Sequence, residues 1–302
     1  MSYRIDPTKP FANEIKSAAR QLLAQAISVL SEPSESPHEA VHTARKAFKR
    51  LRALYRLVQA DAPAFRASEN ARFRDIARSL SATRDATALV ETTSYLEQHA
   101  RSDRELEALS LVTKMLMQRR DRIVSDDCGI DANINAAIRE CEAGLCALES
   151  LSLPKRKKTV AKQIGRAWRK QRKAAIKAMT HCRADASGEH FHELRKCGQT
   201  YWMHLSLLRR LWPSAMRAKR ADAKQLVDLL GHEHDLSVLA AFADRQPESF
   251  PDGETLARLL GAIIQRQLAL RQEGLQLADR VFHEDARTES RIVMALWQRA
   301  AR

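Results

Sequence analysis

The chain has 302 residues, with Lys and Arg outnumbering Asp and Glu 51 to 37 for a formal charge of +14. It is 44% apolar and 5% aromatic, with nine Gly and nine Pro, and it is rich in Ala, Leu, Arg, Lys, Glu and Gln, a composition that favours helix and speaks against a β-rich or disordered class. The charge points to a polyanion as partner: nucleic acid, an anionic surface or a phosphate-rich ligand. Helices are predicted near 8–31, 36–60, 65–98, 102–123 and 131–150, then near 156–182, 188–211, 214–245, 253–282 and 284–300. Breaks are read at Pro33 and Pro37, at Asp61 to Pro63, at Asp126 to Gly129, at Pro154, at Ser187-Gly188, at Pro213 and from Pro247 to Gly253. The expected fold class is all-α, with antiparallel helices packed in bundles.

The two sets of helices repeat. A shift of 150 residues brings His42 onto His192, Arg45 onto Arg195, Lys46 onto Lys196, Pro63 onto Pro213, Leu80 onto Leu230 and Asp85 onto Asp235. Upstream, Arg20 meets Lys170. One offset held over that span implies two similar halves, placed at 1–152 and 153–302 with the boundary just ahead of Pro154.

In the second predicted helix, "VHTARKAFKRLRALYRLV" (Val41 to Val58) holds six Lys or Arg, one His and no acid. Val41, Ala44, Phe48, Leu51, Tyr55 and Val58 form an apolar seam at spacings of three and four. His42, Arg45, Lys49, Arg52 and Arg56 keep the same spacing one residue later, so the basic stripe flanks the seam. Lys46 and Arg50 widen it. A second stretch, Lys155 to Lys177, holds eleven Lys or Arg and no acid, with Lys162, Arg166, Arg169, Lys173 and Lys177 along one face. Solubility alone would interleave opposing charges, so the two basic helices are read as parts of one binding surface.

These residues resemble the CHAD family, the conserved histidine alpha-helical domain. The likeness rests on the quoted stretch followed by Leu80-Ser-Ala-Thr-Arg-Asp85, and on a second copy, "FHELRK" followed by Leu230-Gly-His-Glu-His-Asp235. The resemblance implies two helical bundles related by pseudo-twofold symmetry around a basic central groove or pore. It also implies binding of inorganic polyphosphate and association with polyphosphate granules and their proteins, without catalysis. Carried over by position, the implied site holds His42, Arg45, Lys46, Lys49, Arg50 and Arg52 from the first motif, His192, Arg195 and Lys196 from the second, and Arg84 from the third helix. Arg20, Arg56, Arg166, Arg169, Lys170 and Lys173 join them as charge on the same expected track. The second copy departs from the pattern: Gln199, Thr200 and Trp202 stand where basic residues are expected, and His234 replaces the Arg before Asp235. In the first copy Ser81 stands where Gly is usual.

The chemistry agrees with that expectation. A polyphosphate chain has no bases to read, so Arg forks and Lys point charges along a track suffice. Nucleic acid is the rival partner, since charge alone does not separate the two. No helix-turn-helix spacing or RNA-binding motif is visible, and Trp168, Trp202 and Trp212 are expected in the core rather than in base stacking. "FHELRK" also looks like a phosphoacceptor box, but no Gly-rich nucleotide segment accompanies it. "GHEHD" (Gly231 to Asp235) puts two His two apart, which do not share a helix face, so no metal is expected there. No nucleophile elbow, P-loop or catalytic carboxylate pair appears, so no enzyme and no cofactor are expected; Asp85 and Asp235 are read as tethers for neighbouring groups. Five cysteines without a CxxC, no apolar leader and no membrane-length apolar run lead to the expectation of reduced thiols in a cytoplasmic protein.

Overall fold

The computed structural model of the chain describes residues 3–32, 37–80, 82–125 and 130–301; the side chains of residues 37, 38, 82–84 and 124 lie outside that description. Eleven α-helices and no strand occur among the described residues. In chain order they are α1 (Phe11–Ser31), α2 (Pro37–Val58), α3 (Pro63–Ser79), α4 (Ala82–Glu97), α5 (Asp103–Ser125), α6 (Ile130–Ser150), α7 (Lys157–Ala184), α8 (Gly188–Leu207), α9 (Pro213–Arg245), α10 (Gly253–Val281) and α11 (Ala286–Ala300). A short 3₁₀ turn, Pro247–Ser249, precedes α10.

Packing partners recur between the halves. α1 packs on α2 and α6, as α7 packs on α8 and α11. α4 packs on α5 as α9 packs on α10. Across the halves, α2 meets α7 and α8, α4 meets α9, and α5 meets α10. The buried apolar residues form one continuous core from Ile5 to Ala301. The buried imidazole of His204 on α8 shares a hydrogen bond of 2.9 Å between its Nε2 and the Ala53 carbonyl of α2, and the Ile5 N–H donates to the Leu207 carbonyl at 2.9 Å.

α2 explains how charge and core share one helix. All six residues of the predicted seam are buried, and so are Ala47, Ala53, Leu54 and Leu57. The helix is enclosed from several sides because α1, α3, α7 and α8 all pack on it. What remains uncovered is the narrow strip that carries the basic residues. Aromatic rings fix its inner face: Phe48 stacks on Phe73 at 5.6 Å, and Tyr55 meets Phe65 edge-on at 5.1 Å.

The structure corrects two expectations. The single helix read at 65–98 is two helices, α3 and α4, whereas its counterpart α9 runs unbroken for 33 residues. The end of α3 is capped by a side chain distant in sequence: Arg45 Nη1 donates to the Ala77 carbonyl at 2.5 Å and to the Leu80 carbonyl at 3.3 Å. Carbonyls of a helix's last turn have no onward turn of the same helix to supply donors, so a guanidinium there stabilises termination. Trp212 is the second case. It is 50% exposed at the start of α9 rather than packed in the core, while Trp168 is buried and Trp202 packs against the core's edge. The breaks read at Pro33 and at Asp126 to Gly129 lie outside the described residues.

Candidate functional site

The strip on α2 opens into a cavity of about 310 Å³ where α2, α4, α8 and α9 converge. α2 contributes His42, Arg45, Lys46 and Lys49; α4 contributes Asp85, Ala88, Leu89 and Thr92; α8 contributes Arg195; α9 contributes His234, Asp235 and Val238. The 150-residue shift pairs Arg45 with Arg195, Asp85 with Asp235 and Ala88 with Val238, so equivalent positions of the two halves face one space. Four permanent cations and two carboxylates line it.

Electrostatics record this surplus. Burial, the larger effect, holds the Arg195 guanidinium below its ordinary pKa, against the opposing pull of Asp235 and Glu233. The Arg195 Nε and the His192 Nδ1 are buried without a hydrogen-bond partner among the described residues. His192 lies against His234 with ring centroids 4.1 Å apart and the ring planes tilted by 33°. Burial lowers the pKa of His192, and Lys196 and Arg195 lower it further. Burial pushes His234 down to about 4, helped by His192, Arg195, Lys49 and Lys196. Both imidazoles are therefore neutral near neutral pH.

A second hollow of about 350 Å³ adjoins the first and shares Arg45, Lys49 and Asp85 with it. It adds Arg52 from α2 and Arg74 and Arg78 from α3. Arg52 Nε donates to the Asn70 side-chain Oδ1 at 3.0 Å. Its pKa is lowered by burial first and then by Arg56, Arg66 and Arg74, the mark of crowded positive charge. From His42 to Arg52 the two hollows follow α2 for about 15 Å at 1.5 Å per residue.

The other predicted residues lie elsewhere. Arg56 is turned into the junction of α2, α7 and α8, where it donates to Thr200 Oγ1 at 3.0 Å. Arg50 packs over the Tyr3 ring, 5.8 Å from its centroid. Arg20 pairs with Glu149 at 2.6 Å on the outer side of α1 and α6. Lys196 pairs with Glu193 on the surface of α8. Arg166, Arg169, Lys170 and Lys173 are exposed on α7 and do not line either hollow. Another cation of that stretch, Arg172, is buried in an ion pair with Glu289 at 2.5 Å. The side chain of Arg84 lies outside the described residues.

Sequence reasoning left out Arg74, Arg78 and His234 as site residues. Arg74 and Arg78 are four apart, one helical turn, but only the packing of α3 on α2 puts them beside Arg52. The signal for His234 was the repeat itself, which sets it opposite Arg84. His232, two residues earlier, faces away and stacks flat on Tyr95 with centroids 4.1 Å apart. Among the described residues no group of three or more His, Cys, Asp or Glu is arranged to hold a metal, and no helix is long and apolar enough to cross a membrane.

Comparison with known proteins bears on the whole chain. The family model described as "CHAD domain" matches residues 14–244. The crystal structure of the CHAD domain from the plant Ricinus communis superimposes with a TM-score of 0.62 over 94% of this chain and 93% of that one. Identity between them is 18%, so the likeness speaks to the fold. No curated protein matches the chain.

Proposed function

The chain belongs to the CHAD domain family, which is linked generally to polyphosphate binding, and from that membership we propose that it binds inorganic polyphosphate without catalysis in the hollows along α2. The observation that carries this reading is the convergence of Arg45, Lys46, Lys49 and Arg195 from two helices on one cavity. Planar guanidinium forks and mobile ammonium groups match tetrahedral phosphates strung on a flexible chain. In this reading the two halves, 1–152 and 153–302, each supply one side of the site, and the protein works in the cytoplasm at polyphosphate granules and their proteins.

The test is competition. Labelled long-chain polyphosphate is bound at moderate salt and challenged with single-stranded RNA, duplex DNA and orthophosphate at equal phosphate concentration. Displacement by unlabelled polyphosphate alone is the expected result. Equal displacement by RNA or DNA would make nucleic-acid binding the function instead.

A further inference from the structure

The two halves present different chemistry at one matched position. The first copy reads Arg84-Asp85 and the second reads His234-Asp235. His234 lines the cavity and lies against His192 of α8. We propose that His234 and His192 form a proton-operated phosphate subsite, so that polyphosphate binds with uptake of protons and is held more tightly as the medium acidifies. This rests on the polyphosphate reading above and adds a regulation that the reading does not contain.

The charged neighbours decide the sign. From α2, His42, Arg45, Lys46 and Lys49 face the same space. From α8, Arg195 and Lys196 add positive charge, and Glu193 is engaged by Lys196. From α4 and α9 come Asp85 and Asp235. Glu233, next to His234 in the chain, is bonded to Arg271 of α10 at 2.7 and 2.9 Å, so its charge is matched on the far side. The empty subsite therefore opposes a further proton on either imidazole. A phosphate chain reverses this by supplying negative charge to the same cations. Protons then bind with the ligand, and by linkage the ligand binds better where protons are plentiful. A permanent Arg at 234 would give phosphate a contact at any pH; His gives it a contact that can be withdrawn.

The probe is long-chain sodium polyphosphate, whose interior phosphates stay ionised throughout, so that the protein alone titrates. Affinity is measured from about pH 8 to about pH 5, the range in which an ordinary imidazole changes charge. Calorimetry in two buffers of different ionisation heat counts the protons taken up. The expected result is a gain in affinity of at least about tenfold across that range, since each unit of coupled pKa change is a factor of ten, with net proton uptake on binding. His234→Arg is expected to bind with a flatter pH response, and the double change His192→Gln, His234→Gln to lose most of the slope while keeping its circular dichroism. A wild-type affinity that is flat with pH, or a slope that survives the double change, overturns the subsite and leaves polyphosphate binding standing. Absence of binding at every pH overturns the polyphosphate reading itself, and this inference with it.

Discussion

Lys46 and Lys49 are exposed at the mouth of the cavity, whereas Arg45 also caps α3. The three cations therefore separate by experiment. Reversing Lys46 and Lys49 to Glu is expected to weaken polyphosphate binding by at least about 100-fold at moderate salt, because two attractive contacts become repulsive. The melting temperature should stay within a degree or two of the parent by the usual measure for surface changes. Arg45→Ala is expected to weaken binding and also to cost about 1–2 kcal/mol in urea unfolding, since the carbonyls of Ala77 and Leu80 lose their donor. His204 gives a residue-scale signature independent of ligand. It is buried against Ala53 and Trp168, and burial pushes its pKa down to about 4. The unfolded chain, with an ordinary imidazole, binds a proton that the folded chain refuses. Its stabilising contribution is therefore complete above about pH 6.5 and falls as pH drops toward 4, by up to roughly 3 kcal/mol. Urea titrations at pH values across that window should show the decline, and His204→Gln should flatten it.

Among the elements, α2 was the most legible in sequence and still only half of it. Its seam and its basic phase were visible in the spacing of Val41 to Val58. The burial of Ala53 was not, because it depends on α8 of the other half closing over it. The break between α3 and α4 was hidden for the same reason: its cap, Arg45, lies 32 residues from Ala77. α9 keeps its continuity across the matching position, and beyond that position Glu233 is fully buried and paired with Arg271 of α10. A lone buried carboxylate is expensive, so Arg271→Met is expected to destabilise by about 3–5 kcal/mol. The double variant Glu233→Leu, Arg271→Met should recover most of that loss, read by the same urea midpoints. If the single change costs nothing, the pair does not anchor α9 to α10.

Taken whole, the all-α fold class was readable because it is written in composition. The site was readable only in part. Arg166, Arg169, Lys170 and Lys173 belong to an acid-free run just as α2's cations do, yet they are exposed on α7, outside both hollows. Charge density alone does not tell which side of a bundle faces a cavity; that depends on which helices cross, and α7 packs chiefly through α8 and α11. A salt titration tests the reduced set. Seven permanent cations along the two hollows (Arg45, Lys46, Lys49, Arg52, Arg74, Arg78 and Arg195) predict a slope of log affinity against log salt of about −5, by the coefficient for flexible single strands. A steeper slope would bring the α7 cations back into contact with the chain.

The junction of the two hollows at Arg45 and Lys49 has one more consequence. The track is short and open along α2, and every unit of a homopolymer is the same. A long chain can then occupy it in many equivalent registers, shifting by one repeat without losing a contact. Binding of this kind is statistical: affinity counted per chain grows in proportion to length, while affinity counted per phosphate levels off once the track is full. A bound polymer would slide rather than lock, and one strand would thread several protein molecules like beads, with their spacing set by the polymer and not by contacts between proteins.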